Sequence, residues 1–155
     1  MASQSTENRS RTAGNTRAAL LSTATRLIAE RGLDGVSLAL QLYPDASNGY
    51  NLHLQVRNYQ LEPPELAGDA PRGLAEGHAH LMINGSKRIR IYSPFLHLDK
   101  SLFRPGMNQL TVTLNSHQHE TWVSGKQPIL ATLFVDTTAD EAVRHRFSAF
   151  PLEPE

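Results

Sequence analysis

Seven histidines stand in a chain that has no cysteine. Two of them, His78 and His80, sit in the stretch Gly77-His78-Ala79-His80-Leu81-Met82-Ile83-Asn84-Gly85. On an extended strand, residues two apart share a face. His78, His80 and Met82 then lie on one side, and Ala79, Leu81 and Ile83 on the other. Residues so placed are about 6.6 Å apart, and two imidazoles can lean from there toward one ion held about 2 Å from each nitrogen. Two imidazoles and a thioether are donors that a soft or borderline transition metal accepts. His117 and His119 repeat the spacing if residues 115–120 are extended; if that stretch turns, only one of the two converges. His53 lies on the polar face of its own alternating run, and His97 follows the strand that returns from the Asn84-Gly85 turn.

The missing cysteine rules out disulfides, zinc knuckles, iron–sulfur clusters and thiol nucleophiles. It also rules out a thiolate-based blue-copper centre. A soft-metal site must therefore use His and Met. No Gly-x-Ser-x-Gly elbow, P-loop or dinucleotide fingerprint occurs. Asp45, Glu62, Glu65, Asp69 and Glu76 show no ligand spacing, and a solvated loop is the expectation for most of them. Lys+Arg and Asp+Glu number 15 each, so the net charge is zero and the basic footprint of a nucleic-acid binder is missing. No apolar run approaches the roughly 18 residues of a membrane span. The Arg-rich start gives way too early to Thr25-Arg26 for a signal peptide, so the sequence by itself places the protein in the cytoplasm.

The elements that must hold these residues follow from the patterning. Residues 1–15 are polar and read as disordered. Leu20, Leu21, Ala24, Leu27 and Ile28 recur at helical spacing, with Thr16 as N-cap and Gly32 as stop, so residues 16–37 read as an amphipathic helix and a turn. From Leu38 the period changes to two. Leu38-Leu40-Leu42, Leu52-Leu54-Val56, the histidine strand, Ile89-Ile91, Leu110-Val112-Leu114, Glu120–Val123 and Ile129–Val135 give about seven strands with turn signals between them. Residues 60–76 read as a loop rich in Pro and Gly, and residues 95–107 as irregular. The fold class expected is mainly β: an antiparallel sandwich of the immunoglobulin or cupredoxin kind over 38–137, with one N-terminal helix. Residues 138–155 read as a loosely held tail that starts with a helical turn, Ala139 to Arg146.

Two stretches resemble known families. Arg17-Ala18-Ala19-Leu20-Leu21, Ala24 and Arg26-Leu27-Ile28-Ala29-Glu30-Arg31-Gly32-Leu33-Asp34-Gly35-Val36-Ser37-Leu38 resemble the first helix and following turn of tetracycline-repressor-type regulators. The chain then departs into Ala39-Leu40-Gln41-Leu42-Tyr43-Pro44, where that family has its recognition helix, so no DNA-contacting residue carries over. Residues 38–136 are similar to bacterial, usually exported, β-sandwich domains of copper-associated or uncharacterised type. The matching motifs are Tyr43-Pro44-Asp45, Gly49-Tyr50-Asn51-Leu52-His53, Gly77-His78-Ala79-His80-Leu81 with Asn84-Gly85, Arg90-Ile91-Tyr92, His97-Leu98, Val112-Thr113-Leu114-Asn115 with His119, and Gly125-Lys126. This resemblance implies a cupredoxin-like fold, a periplasmic location and a histidine cluster of His53, His78, His80, His97 and His119.

Together these readings point to a non-enzymatic metal-binding domain. Copper is favoured and zinc is its nearest competitor, with His78 and His80 as core ligands, His119 and His97 completing the set, His53 nearby and Met82 as an extra soft donor. The expected partner is the metal ion, with neither nucleic acid nor membrane. The alternatives are a structural or interaction domain whose histidines hydrogen-bond one another, and a DNA-binding regulator suggested by residues 17–38.

Overall fold

The structure, a computed structural model, describes residue 33, residues 35–71 and residues 73–149. The regulator-like helix expected up to residue 32 and the end of the tail from residue 150 lie outside the described residues. Within them the chain is mainly β and contains no helix of seven or more residues. No described helix is long and apolar enough to cross a membrane.

The alternating leucines do what their period requires. Leu38, Leu40 and Leu42 are buried along β1 (Ser37–Pro44), and Leu52 and Leu54 along β2 (Tyr50–Arg57). The two strands pair antiparallel around the Asp45–Gly49 turn, and β2 continues to β6 (Phe95–Leu98), giving a three-stranded sheet. A larger sheet is built on β4 (Ala75–Ile83). One edge of β4 pairs antiparallel with β7 (Met107–Asn115), which pairs with β10 (Leu130–Asp136) and so with β11 (Val143–Ser148). The other edge of β4 is shared. Ala75–Gly77 pair in parallel with β3 (Tyr59–Leu61), and Ala79–Ile83 pair antiparallel with β5 (Ser86–Ile91). A short pair, β8 (Val123–Ser124) and β9 (Gln127–Pro128), completes the set.

The buried faces of both sheets contribute to one hydrophobic core that runs from Leu38 and Leu52 to Leu81, Leu114 and Leu133. Leu33 and Val36 join it ahead of β1. The Ser148 hydroxyl donates to the Leu38 carbonyl and ties β11 to β1.

Four features depart from the sequence reading. Residues 143–148 form strand β11 where a helical turn opening a loose tail was expected. Residues 95–98 form β6 inside a stretch expected to be irregular, and residues 59–61 form β3 at the edge of an expected loop. Residues 120–123 contribute only an isolated bridge at Thr121 before β8. The reason is common to these cases. The strands are short or lie at sheet edges, and β11 buries no residue fully. Pairing with a neighbour holds them extended, and β3 and β6 turn only two side chains each to the core, Tyr59 with Leu61 and Leu96 with Leu98, too few to mark a strand in the sequence.

Candidate metal centre

Strand β4 positions the first two histidines. Ala79, Leu81 and Ile83 are each 0% exposed and fix one face of the strand in the core. That leaves Glu76, His78, His80 and Met82 on the other face. His78 pairs with Asn115 of β7, and His80 lies between Thr113 of β7 and Arg90 of β5. This second face is also covered. His78 is 0% and His80 8% exposed. The cover includes the Tyr92 ring, 5.8 Å from that of His78, and the turn that follows β7.

That turn delivers the third histidine. The Ser116 N–H donates to Glu120 O at 2.8 Å and the His119 N–H to Ser116 O at 2.9 Å. His119 closes it with φ of 69°, in the left-handed region that non-glycine residues enter at a cost. The stretch 115–120 is therefore turned, and His117 and His119 diverge. The His119 ring stacks on that of His80 (centroids 5.5 Å, 20°) and meets that of His78 edge-on (4.9 Å, 71°).

The ring nitrogens of His78, His80 and His119 converge, with one from each ring lying within 4.8 Å of the others. His78 Nε2 is 2.9 Å from His80 Nε2, and His119 Nδ1 is 3.4 Å from the same His80 atom. Around an ion with metal–nitrogen bonds of about 2.0–2.1 Å, angles of roughly 90–110° put neighbouring nitrogens about 2.9–3.4 Å apart. The measured separations fall in that range. His119 is exposed, so the group has one side open to solvent.

The surroundings keep the imidazoles neutral, which is the form that binds metal. Burial pushes His78 down to about 4, and the repulsion a proton there would meet beside His119, Arg90, His117 and Lys87 adds to it. Burial also takes His80 to about 4, with Lys87, His78, His119 and Arg90 adding to it. His119 is lowered too, by partial desolvation and then by Arg90 and Lys87.

A second group adjoins the first. Glu62, Glu76 and His117 each place one donor atom within 4.8 Å of the others. His117 Nε2 is 3.9 Å from Glu62 Oε1, and the His117 ring is 6.4 Å from that of His78. Glu62 is 3% exposed, which overturns the expectation of a solvated loop carboxylate. Its backbone N–H donates to Gly77 O at 2.8 Å, so the chain leaving β3 sets it beside β4. Burial raises the Glu62 carboxyl, and the neighbouring Glu76 raises it further. Glu76 is lowered on balance: burial works upward, but bonds from the Gly68 N–H and from Glu62 outweigh it. One signal for this group was present in the sequence. The alternation that selects His78 and His80 extends back through Gly77 to Glu76. Glu62 had no such signal, because only the parallel β3–β4 pairing brings it in.

Two of the remaining expected ligands go elsewhere. His53 and His97 sit in the three-stranded sheet and do not join the histidine group. His53 stacks on Phe95 with centroids 4.3 Å apart. His97 Nδ1 is 2.9 Å from Asn51 Oδ1, and Asn51 in turn donates to Asp45 Oδ2 at 3.0 Å. These two histidines are separated from β4 because β2 and β6 belong to the other sheet. Met82 shares a strand face with His80, but the pairing of β4 with β5 shifts register between Leu81 and Met82. His145 lies on the edge strand β11 against Phe134. No family model matches the chain, and comparisons with curated proteins and with solved structures return no significant match.

Proposed function

We propose that this domain binds a transition-metal ion, copper foremost, through His78, His80 and His119, and that it does so as a binding protein and not as an enzyme. The observation that carries the reading is the convergence of three ring nitrogens at separations of 2.9 and 3.4 Å, on rings held neutral by burial. A set made only of imidazoles ranks Cu(II) above the other divalent first-row ions and leaves zinc as the nearest competitor. Two sheets sharing one core agree with the immunoglobulin- or cupredoxin-like sandwich that the sequence suggests. The coordination differs from blue copper because no thiolate is present.

The 2.9 Å contact between His78 and His80 also favours a second reading, a hydrogen-bonded histidine network that fixes the 116–120 turn. Titration of the metal-free protein with Cu(II) separates the two. The metal reading predicts one tight binding event at these histidines, abolished by the double change His78→Ala, His80→Ala. Unaltered Cu(II) affinity in that variant contradicts it and leaves the network reading.

A further inference from the structure

We infer that Glu62, Glu76 and His117 form a second cation site beside the three histidines, one that takes a divalent ion with mixed oxygen and nitrogen donors, Zn(II) foremost. The donor set is two carboxylates and one imidazole, and zinc accepts such ligands at about 2.0–2.2 Å. The three donor atoms already lie within 4.8 Å of one another. Four donor atoms of this group are buried without a hydrogen-bond partner: Glu62 Oε1, Glu76 Oε2, and both ring nitrogens of His117. Glu62 is 97% removed from solvent, since its residual exposure is 3%. The one ion-pair contact among the described residues is the 3.9 Å approach of His117 to Glu62, too long for a hydrogen bond. Buried carboxylates in native proteins are paired or coordinate metals, and here no Lys or Arg among the described residues supplies the pairing.

The same elements that build the histidine group build this one. Strand β4 gives His78 and His80 to one and Glu76 to the other, and the 116–120 turn gives His119 to one and His117 to the other. The fully buried ring of His78 stands between them, its Nε2 toward His80 and its Nδ1 without a partner. A cleft of about 580 Å³ is lined by Leu74, Glu76, Ser116, His117, Gln118 and Trp122.

The test uses the full chain, stripped of metal, loaded with one equivalent of Cu(II) and then titrated calorimetrically with Zn(II). The wild type is expected to take up one Zn(II) per chain. Glu62→Gln and His117→Asn should each weaken that event by about tenfold or more, since even outer-shell changes cost 10–100-fold in metal affinity. Both should keep Cu(II) binding. In the metal-free protein His80→Ala should retain the Zn(II) event, so failure of the histidine site and failure of this one are distinguishable. Thermal unfolding of the metal-free Glu62→Gln protein controls for folding. The amide that this change introduces can still donate to Glu76, as the Glu62 carboxyl does, so the Tm should stay close to that of the wild type; if it falls, Glu76→Gln replaces this variant in the titration. Wild-type Zn(II) affinity in the Glu62 or Glu76 variant overturns the inference. So does a single Zn(II) event that His80→Ala removes.

Discussion

Two imidazole nitrogens 2.9 Å apart can share one proton but cannot both be charged without strong repulsion. This sets a pH dependence. Unfolded histidines titrate near 6.5, whereas His78 and His80 are pushed down to about 4, first by burial and then by nearby positive groups. Between those values the unfolded chain binds more protons than the folded one, so stability rises with pH across the window. The metal-free protein should be fully stable above pH 6.5 and lose stability progressively as the pH falls toward 4. Urea denaturation at pH 7, 5.5 and 4.5 checks this, with a midpoint that drops at each step. A His78→Phe, His80→Phe protein should show a flatter profile. Sequence spacing made these two residues and their shared face legible, because strand period alone sets them. It could not choose between His117 and His119, since the choice depends on the left-handed backbone at His119. Nor could it show that His53 and His97 serve another sheet, because spacing along the chain says nothing about which strands pair.

The strand that carries the histidines depends on a close approach at Gly77. A Cβ there would run into the Asn115 carbonyl and the Tyr59 hydroxyl. The neighbouring atom at Asn115 is backbone, so β7 would have to move away from β4. Gly77→Ala is therefore expected to cost about 1–3 kcal/mol, the range for overpacking a filled site. It should also weaken metal binding, since β7 leads directly into the turn that carries His119. Melting curves with and without Cu(II) measure both effects. The Tyr59 hydroxyl, buried, donates to Asn115 O at 2.8 Å and joins β3 to the end of β7. Tyr59→Phe should lose about 1 kcal/mol, as for an ordinary hydrogen bond, with the histidine group intact. The long strands β1, β2, β4, β7 and β10 were readable from alternating leucine, valine and isoleucine. The Asn84-Gly85 hairpin was readable too, and its φ angles of 51° and 80° are those a two-residue turn of this type needs. The edge strands β6 and β11 were not: β11 buries no residue fully, and β6 sends only Leu96 and Leu98 to the core, too short a run to read as a strand.

At the scale of the molecule, one core supports both sheets, and the histidine group lies on the face of the larger sheet turned away from that core. Its imidazoles come from β4 and from a turn far along the chain. An ion there should bridge them in the folded state alone. Binding should then stabilise the whole domain by about 2.7 kcal/mol when free metal stands at 100 times its dissociation constant. Core truncation should act on the same quantity from the other side. Leu81→Ala, at a site 0% exposed between His80 and Met82, should cost about 2–5 kcal/mol. The sequence showed enough alternation to call the class of fold. It did not show the shared edge of β4, where a parallel strand and an antiparallel strand meet. That junction, at Gly77 and His78, is what places Glu62 beside the histidines.

The most direct measurement is X-ray absorption at the copper edge on protein loaded with one equivalent of Cu(II), in the wild type and in His80→Ala and His119→Ala. Three imidazole ligands are expected in the wild type, with nitrogen at about 2.0 Å, and one imidazole fewer in each variant. A wild-type centre with fewer than three imidazoles, or a spectrum that neither variant changes, would contradict it.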